Sequence, residues 1–158
     1  MTMSCSHVRG AEPATGAVAK AVTAAEHRCL AAGERWTASR RRTYELLIRA
    51  GRPVKAYDLI AGYADAGETA AKPPTIYRAL DFLAAHGLIH RIESLNAFLA
   101  CSVEGHAHTA QFLICDCCGR AEELDAGIET IAASAAKQRG FTPTRVVMEV
   151  HGACADCT

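Results

Sequence analysis

The chain has 158 residues, of which half are hydrophobic, and its 17 Lys or Arg balance its 17 Asp or Glu. That length suits one ordinary domain or two small ones. No stretch approaches the roughly 20 apolar residues of a membrane-spanning helix, and the N-terminus lacks the apolar region of a signal peptide. We therefore expect a cytoplasmic protein without a membrane partner, whose eight cysteines are metal ligands or spare thiols rather than disulfides.

The charges are unevenly distributed along the chain. Residues 1–94 carry 13 Lys or Arg against 9 Asp or Glu, whereas residues 95–158 carry 4 against 8. A basic first half favours a polyanionic partner, and an acidic second half indicates a different task.

Four helices are expected in the first half, after a polar tail at 1–14 that we expect to be disordered. Their predicted ranges are 17–32, 38–50, 56–64 and 75–86. Thr37 is suited to cap the second helix and Gly51 to end it. Pro73 and Pro74 fix the entry to the fourth helix, because proline fits a first helical turn.

A β-hairpin should follow these helices. Residues 88–94 alternate apolar and polar side chains, and residues 97–101 can pair back across a turn at 95–96. Helices followed by such a hairpin form a winged helix-turn-helix pattern, with the helix 75–86 in the recognition position for DNA.

The second half predicts a small α/β unit. After a hinge at 102–107, the chain shows strands at 110–115 and 120–124, a helix at 126–139 and a strand at 145–150. The predicted fold class is thus α+β, with a winged-helix DNA-binding domain over 15–101 and a second domain over 108–158.

Two CxxC pairs flank this second unit, Cys115 with Cys118 and Cys154 with Cys157. Two such turns can present four thiolates to one cation, which gives a closed, structural tetrahedral zinc site. Unrelated thiols or a redox dithiol are the alternatives, but the thioredoxin-like setting of a redox CxxC is absent. Cys117 is spare in this register, although it could replace a neighbour.

A second group of potential ligands surrounds the hinge. It comprises His90, Cys101, His106, His108, Glu122 and Glu123. One thiolate, two imidazoles and a carboxylate from this group would suit tetrahedral Zn²⁺. A polar hinge with unrelated histidines is the equally weighted alternative.

Several segments together resemble the Fur superfamily of metal regulators, and within it the zinc-uptake-regulator branch. They are KPPTIYRALDFL (72–83), HRIES (90–94), the His108-Thr109 pair, CDCCG (115–119) and HGACADC (151–157). The resemblance covers about residues 17–157. The chain departs from the family in having Thr37-Ala38 where Thr-Pro is common, and in lacking a His/Cys-rich tail after Cys157.

This resemblance implies a zinc-responsive repressor of zinc uptake genes that binds palindromic operator DNA as a homodimer. The domain at 108–158 would form the dimer, and each chain would hold two zinc ions. The regulatory ligands matched one by one are His90, Cys101, His108 and Glu123. A sister regulator that senses iron, manganese, nickel or peroxide is the alternative. An enzyme with a small organic substrate is not expected. Catalytic zinc sites keep an open coordination position, whereas each site proposed here uses four protein ligands.

The resemblance also implies DNA contacts. Arg78 would read bases, which fits the bidentate bonding of Arg to guanine, with Tyr77 beside it and Tyr57 packing on a base or sugar. Basic side chains that we expect to contact phosphate are Arg40, Arg41, Lys55 and Lys72. Each could instead be a solvated surface charge, and Tyr77 could instead belong to the core.

Overall fold

The computed structural model describes residues 13–64, 71–102, 110–124 and 127–158. Its elements, in chain order, are α1 Thr15–Ala31, α2 Ala38–Ala50, α3 Ala56–Ala64, α4 Pro73–Ala85, β1 Ile89–Ile92, β2 Ala97–Ala100, β3 Gln111–Cys115, β4 Ala121–Leu124, α5 Ile128–Gln138 and β5 Met148–Gly152. The α+β fold class and the order of the elements are as predicted. None of the helices in these ranges combines the length and apolarity of a membrane crossing.

Helix α2 begins and ends where its capping residues predict. The side chain of Thr37 accepts a hydrogen bond from the Arg40 amide, and Gly51 adopts a left-handed conformation with φ of 57°. A left-handed residue after a helix is most easily supplied by glycine, which has no Cβ to clash. The helix buries Tyr44 and Leu47 in the first core.

Helix α4 begins at Pro73, two residues earlier than predicted. The two prolines occupy its first positions, where a missing N–H breaks no hydrogen bond. Ile76, Leu80 and Leu83 are fully buried, whereas the side chain of Tyr77 is 51% exposed. Tyr77 is therefore a surface residue and not part of the core.

The wing is the antiparallel hairpin of β1 and β2, with Ile89 opposite Ala100 and Ile92 opposite Ala97. Asn96 turns the chain with φ of 46°, a left-handed conformation that Asn tolerates better than most residues. An isolated bridge between Val54 and Phe98 fastens the wing to the segment before α3.

The second sheet has the order β4-β3-β5, with β4 antiparallel and β5 parallel to the central strand. The last strand spans Met148–Gly152 rather than the predicted 145–150. Its partner β3 begins at Gln111, which pairs with Met148, so earlier residues have no ladder to join. The ladder instead continues until Gly152 lies beside Cys115, where the cysteine turns begin.

Two hydrophobic clusters hold the described part of the chain together. The larger is formed by α1 to α4 and the start of the wing. The smaller contains Ile92 and Leu99 of the wing with Phe112 and Ile114 of β3. The smaller cluster therefore joins the winged-helix part to the second sheet, and we call the contact between these two parts the seam.

The outer surface of the second unit is not covered. Helix α5 has no buried residue. Large apolar side chains that remain exposed in and around this unit are Leu113, Ile131, Phe141, Val147 and Val150.

Candidate metal centres and nucleic-acid interface

Four thiols converge at the end of the second sheet. The sulfur atoms of Cys115, Cys118, Cys154 and Cys157 all lie within 4.8 Å of one another. Both CxxC segments are tight turns, in which the Gly119 amide donates to the Cys115 carbonyl (2.9 Å) and the Cys157 amide to the Cys154 carbonyl (2.8 Å). The β3–β5 ladder brings the two turns together, which explains how cysteines 36 residues apart can share a site.

The electrostatics of this cluster favour a thiolate at Cys115, whereas burial and the neighbouring thiols raise the pKa of Cys157. Hydrogen bonds from the backbone of Cys118 and then of Cys154 lower the pKa of Cys115 to about 6, and the Cys154 amide lies 3.3 Å from its sulfur. The Cys118 and Cys154 sulfurs are 3.8 Å apart. Zinc–sulfur bonds of about 2.3 Å in a tetrahedron give a sulfur–sulfur separation of about 3.8 Å. The four thiols therefore fit a zinc ion. Cys117 is exposed outside the cluster and is disulfide-bonded, so the expectation of a thiol without a disulfide is wrong at this residue.

A second donor cluster lies at the seam. Its members are His90, Cys101 and Glu123, with ligand atoms all within 4.8 Å of one another. The Nε2 atom of His90 is 3.2 Å from Oε1 of Glu123, and their side chains are only 12% and 3% exposed. Bonds of about 2.0–2.2 Å to nitrogen and oxygen in a tetrahedron separate those atoms by about 3.3–3.5 Å. Donor chemistry and spacing therefore fit zinc here too.

The remaining candidates of the second group are placed differently. His106 and His108 lie outside the described residues. Glu122 is exposed, and its Oε2 lies 3.9 Å from the Arg120 guanidinium. Neighbouring residues of β4 point to opposite faces of the sheet, so Glu122 and Glu123 do not share a face. Glu123 is the carboxylate of this pair that points into the seam.

Each donor of the seam cluster comes from a different element. His90 is on β1, Cys101 follows β2, and Glu123 is on β4. The His90 ring also packs edge-to-face with the ring of Phe112 on β3, with 6.0 Å between the ring centroids. The Ser102 amide and hydroxyl donate to Oε2 of Glu123 at 3.1 and 2.8 Å.

A polar contact at the other side of the seam was missed by the sequence reasoning. The Glu149 carboxylate accepts hydrogen bonds from the amides of Glu93 (2.7 Å) and Ser94 (3.1 Å) at the tip of the wing. Arg145 pairs with Glu93 at 2.6 Å. Desolvation opposes ionisation of Glu149, but these hydrogen bonds outweigh it and lower its pKa. A lone charge on the inward side of the last strand was the available signal.

Most of the residues that we predict to contact DNA have exposed side chains. Tyr57 is 78% exposed, and Lys55, Lys72 and Arg78 are exposed as well. The side chains of Arg78 and Tyr77 lie on α4 opposite its buried stripe.

The arginines at the start of α2 are not uniformly exposed. Arg41 is exposed and lies 3.5 Å from Glu26. The Arg40 guanidinium stacks 3.4 Å above the centre of the Phe82 ring, and Arg42 is half-buried beside Glu45. A helix face that packs on α4 leaves little room for three solvated guanidinium groups.

A winged helix joined to a sheet with a four-thiol cluster and a second donor set at the seam defines a protein of the metalloregulator class. The ferric uptake regulator family model matches residues 31–151. The chain belongs to this family.

Relatives and solved structures extend this result. The chain is 39% identical over 135 residues to the zinc uptake regulation protein of Escherichia coli K12, covering 84% of this chain and 78% of the relative. A zinc uptake regulator complexed with zinc and DNA superposes with a TM-score of 0.82 at 35% identity, covering 90% of this chain and 95% of that one. The crystal structure of holo XcZur gives a TM-score of 0.78 at 44% identity, with coverages of 85% and 94%.

The apo structure of XcZur aligns less well. Its TM-score to this chain is 0.52 at 43% identity, although identity and coverage are close to those of the holo form. As a whole, the chain therefore superposes better on the holo form than on the apo form.

Proposed function

We propose that the protein is a zinc-responsive transcriptional repressor that binds palindromic operator DNA as a homodimer and controls zinc uptake genes. Its regulatory site would use His90, Cys101 and Glu123, with His108 as the fourth ligand. Its structural site would be the four-cysteine cluster, giving two zinc ions per chain. The names of the zinc uptake regulators that it resembles support this proposal, as does the similarity to the complex with zinc and DNA. Because DNA is the proposed partner, we place the protein in the cytoplasm.

The observation that carries the proposal is the seam cluster. Of its described donors, His90 lies on the wing and Cys101 at its exit, whereas Glu123 belongs to the second sheet. A shared cation would bond both sides at once and so favour one angle between the two parts. In a dimer that angle sets the distance between recognition helices, and DNA accepts them only at its half-site spacing.

The coupling between metal and DNA follows from this geometry. A cation that binds one hinge angle better shifts the population towards it. Typical coupling energies are about 1–3 kcal/mol, or roughly 5- to 150-fold in affinity. By reciprocity, operator DNA should tighten zinc binding by the same factor.

The proposed DNA-binding surface is centred on α4. Arg78 lies in the second turn of that helix, with its side chain exposed while Ile76 and Leu80 are buried. In a helix-turn-helix the N-terminal residues of the recognition helix reach the base edges. Lys55, Lys72 and Arg41 are proposed phosphate contacts, with Tyr57 on a base or sugar. Arg40 would have to leave the Phe82 ring to join them.

The proposed homodimer would use the uncovered surface of the second unit. Leu113 and Val150 are neighbours on the exposed face of the sheet. Ile131 and Phe141, on and just after α5, are 68% and 65% exposed. Apolar surface of this kind commonly marks a protein interface. A second copy that covered it would form a two-fold symmetric contact.

The proposal can be tested by measuring metal content and DNA binding together. Operator duplexes are selected from random DNA by the zinc-loaded protein, and affinity is then measured with zinc, iron(II), manganese and nickel. We expect two zinc ions per chain and DNA binding only when the second site is filled. Cys101→Ser should keep one zinc, remain folded and bind the duplex weakly at all zinc levels. If another metal activates DNA binding at a lower free concentration than zinc does, the protein is a sister regulator that senses that metal.

A further inference from the structure

The carboxylate of Glu123 is held in one orientation by its neighbour Ser102. Both the amide and the hydroxyl of Ser102 donate to the same oxygen, Oε2, at 3.1 and 2.8 Å. The other oxygen, Oε1, faces Nε2 of His90 at 3.2 Å. Of the two carboxylate oxygens, one is thus occupied by protein donors and the other points towards the donor cluster.

This division of labour has a chemical consequence for a bound cation. A carboxylate can bind a metal through one oxygen or through both. Two hydrogen bonds on Oε2 use its lone pairs and oppose rotation of the group, so that Oε1 alone remains for the metal. One-oxygen binding suits a four-coordinate tetrahedral site, whereas iron(II) and manganese commonly accept more oxygen ligands.

We propose that Ser102 is a positioning residue that restricts Glu123 to one-oxygen coordination and thereby favours zinc over metals with higher coordination numbers. The inference rests on the proposed regulatory site. Ser102 directly follows Cys101, so the same short segment supplies one ligand and orients another. Removing a group that orients a metal ligand typically lowers metal affinity about 10- to 100-fold.

The test compares Ser102→Ala with Ser102→Thr, which keeps the hydroxyl. Ser134→Ala is the matched control, because Ser134 is an exposed serine on α5, a helix that supplies no described member of either cluster. Zinc and manganese affinities of the second site are measured by chelator competition. X-ray absorption at the zinc edge reports coordination number, and cobalt(II) substitution reports tetrahedral geometry by its visible spectrum.

We expect Ser102→Ala to weaken zinc binding about 10-fold, because the Ser102 amide remains as a donor. Its coordination number should rise above four, and its preference for zinc over manganese should fall. Ser102→Thr and Ser134→Ala should match the unaltered protein.

Two results would contradict the inference, and they are distinguishable. Unchanged affinity and spectra in Ser102→Ala would overturn it alone. If the unaltered protein binds zinc only at the four cysteines, with Glu123→Ala making no difference, the proposed regulatory site fails as well.

Discussion

The seam should behave as a packed core, and two isoleucines on one strand allow this to be tested. Ile89 and Ile92 both lie on β1 and are almost completely buried, but Ile89 belongs to the larger cluster and Ile92 to the smaller one. Replacing either by Ala removes three buried carbons, at about 0.8 kcal/mol each. A cavity term adds to this, so we expect a loss of about 2.5–4 kcal/mol at either position.

The two variants should differ in where that loss is felt. Trp36, the single tryptophan, packs against the larger cluster, so its fluorescence reports unfolding of the winged-helix part. Ile89→Ala should lower the stability measured by Trp36. Ile92→Ala should instead accelerate hydrogen exchange of the Phe112 and Ile114 amides in β3, by roughly 60- to 700-fold for the same energy.

The measurement is denaturant titration and native-state hydrogen exchange on the zinc-loaded protein. If Ile92→Ala changes exchange at Phe112 and Ile114 by less than about 1 kcal/mol, the seam is not a packed core. If both variants lower the stability reported by Trp36 and the exchange protection of β3 equally, the two parts unfold as one unit.

The other predictions concern the structural zinc, DNA and pH. Cys115→Ser should lose tightly bound zinc and fold poorly, because binding energy at structural zinc is folding energy; Cys117→Ser should keep the ion, and equal zinc contents would contradict this. Arg78→Ala should cost about 1–3 kcal/mol on the operator only, whereas Lys72→Ala should weaken operator and scrambled duplex alike with a smaller salt slope; equal losses on both duplexes for Arg78→Ala would make it a phosphate contact. The pKa of Glu149 is lowered from its usual 4.5, so its stabilising effect is full above pH 4.5 and is lost as pH falls through the folded pKa. Glu149→Gln should reduce the loss of unfolding free energy at acid pH, and an unchanged pH dependence of that free energy would exclude the contact.

Helices were the most predictable part of the fold. Thr37 and Gly51 define both ends of α2 from local chemistry alone, since a side-chain cap and a left-handed glycine need no tertiary partner. The strand β5 could not be placed in the same way. Its start at Met148 depends on the start of β3, and this register is a long-range fact that an apolar run does not encode.

The candidate sites show the same division. The CxxC spacing carries its own geometry, and the cluster of four thiols is found where the spacing suggests it. For the second group, the residues alone could not decide between a site and a polar hinge. The fold brings His90, Cys101 and Glu123 together, while their role as zinc ligands remains a prediction and His108 lies outside the described residues.

The contacts that the sequence did not reveal are the ones that orient other groups. Ser102 orients Glu123, and Glu149 fixes the tip of the wing. Both are short polar contacts across the seam between residues at least 21 positions apart, and serine and glutamate are common residues without a motif of their own. The proposed ligand Glu123 and the carboxylate Glu149 flank Phe112, each in register with it on one of the two neighbouring strands. Under the proposed function, the Glu149 contacts would hold one side of the hinge, and a cation would be needed only at the other. A single ion with a few kcal/mol of binding preference would then be enough to set the angle between the two parts.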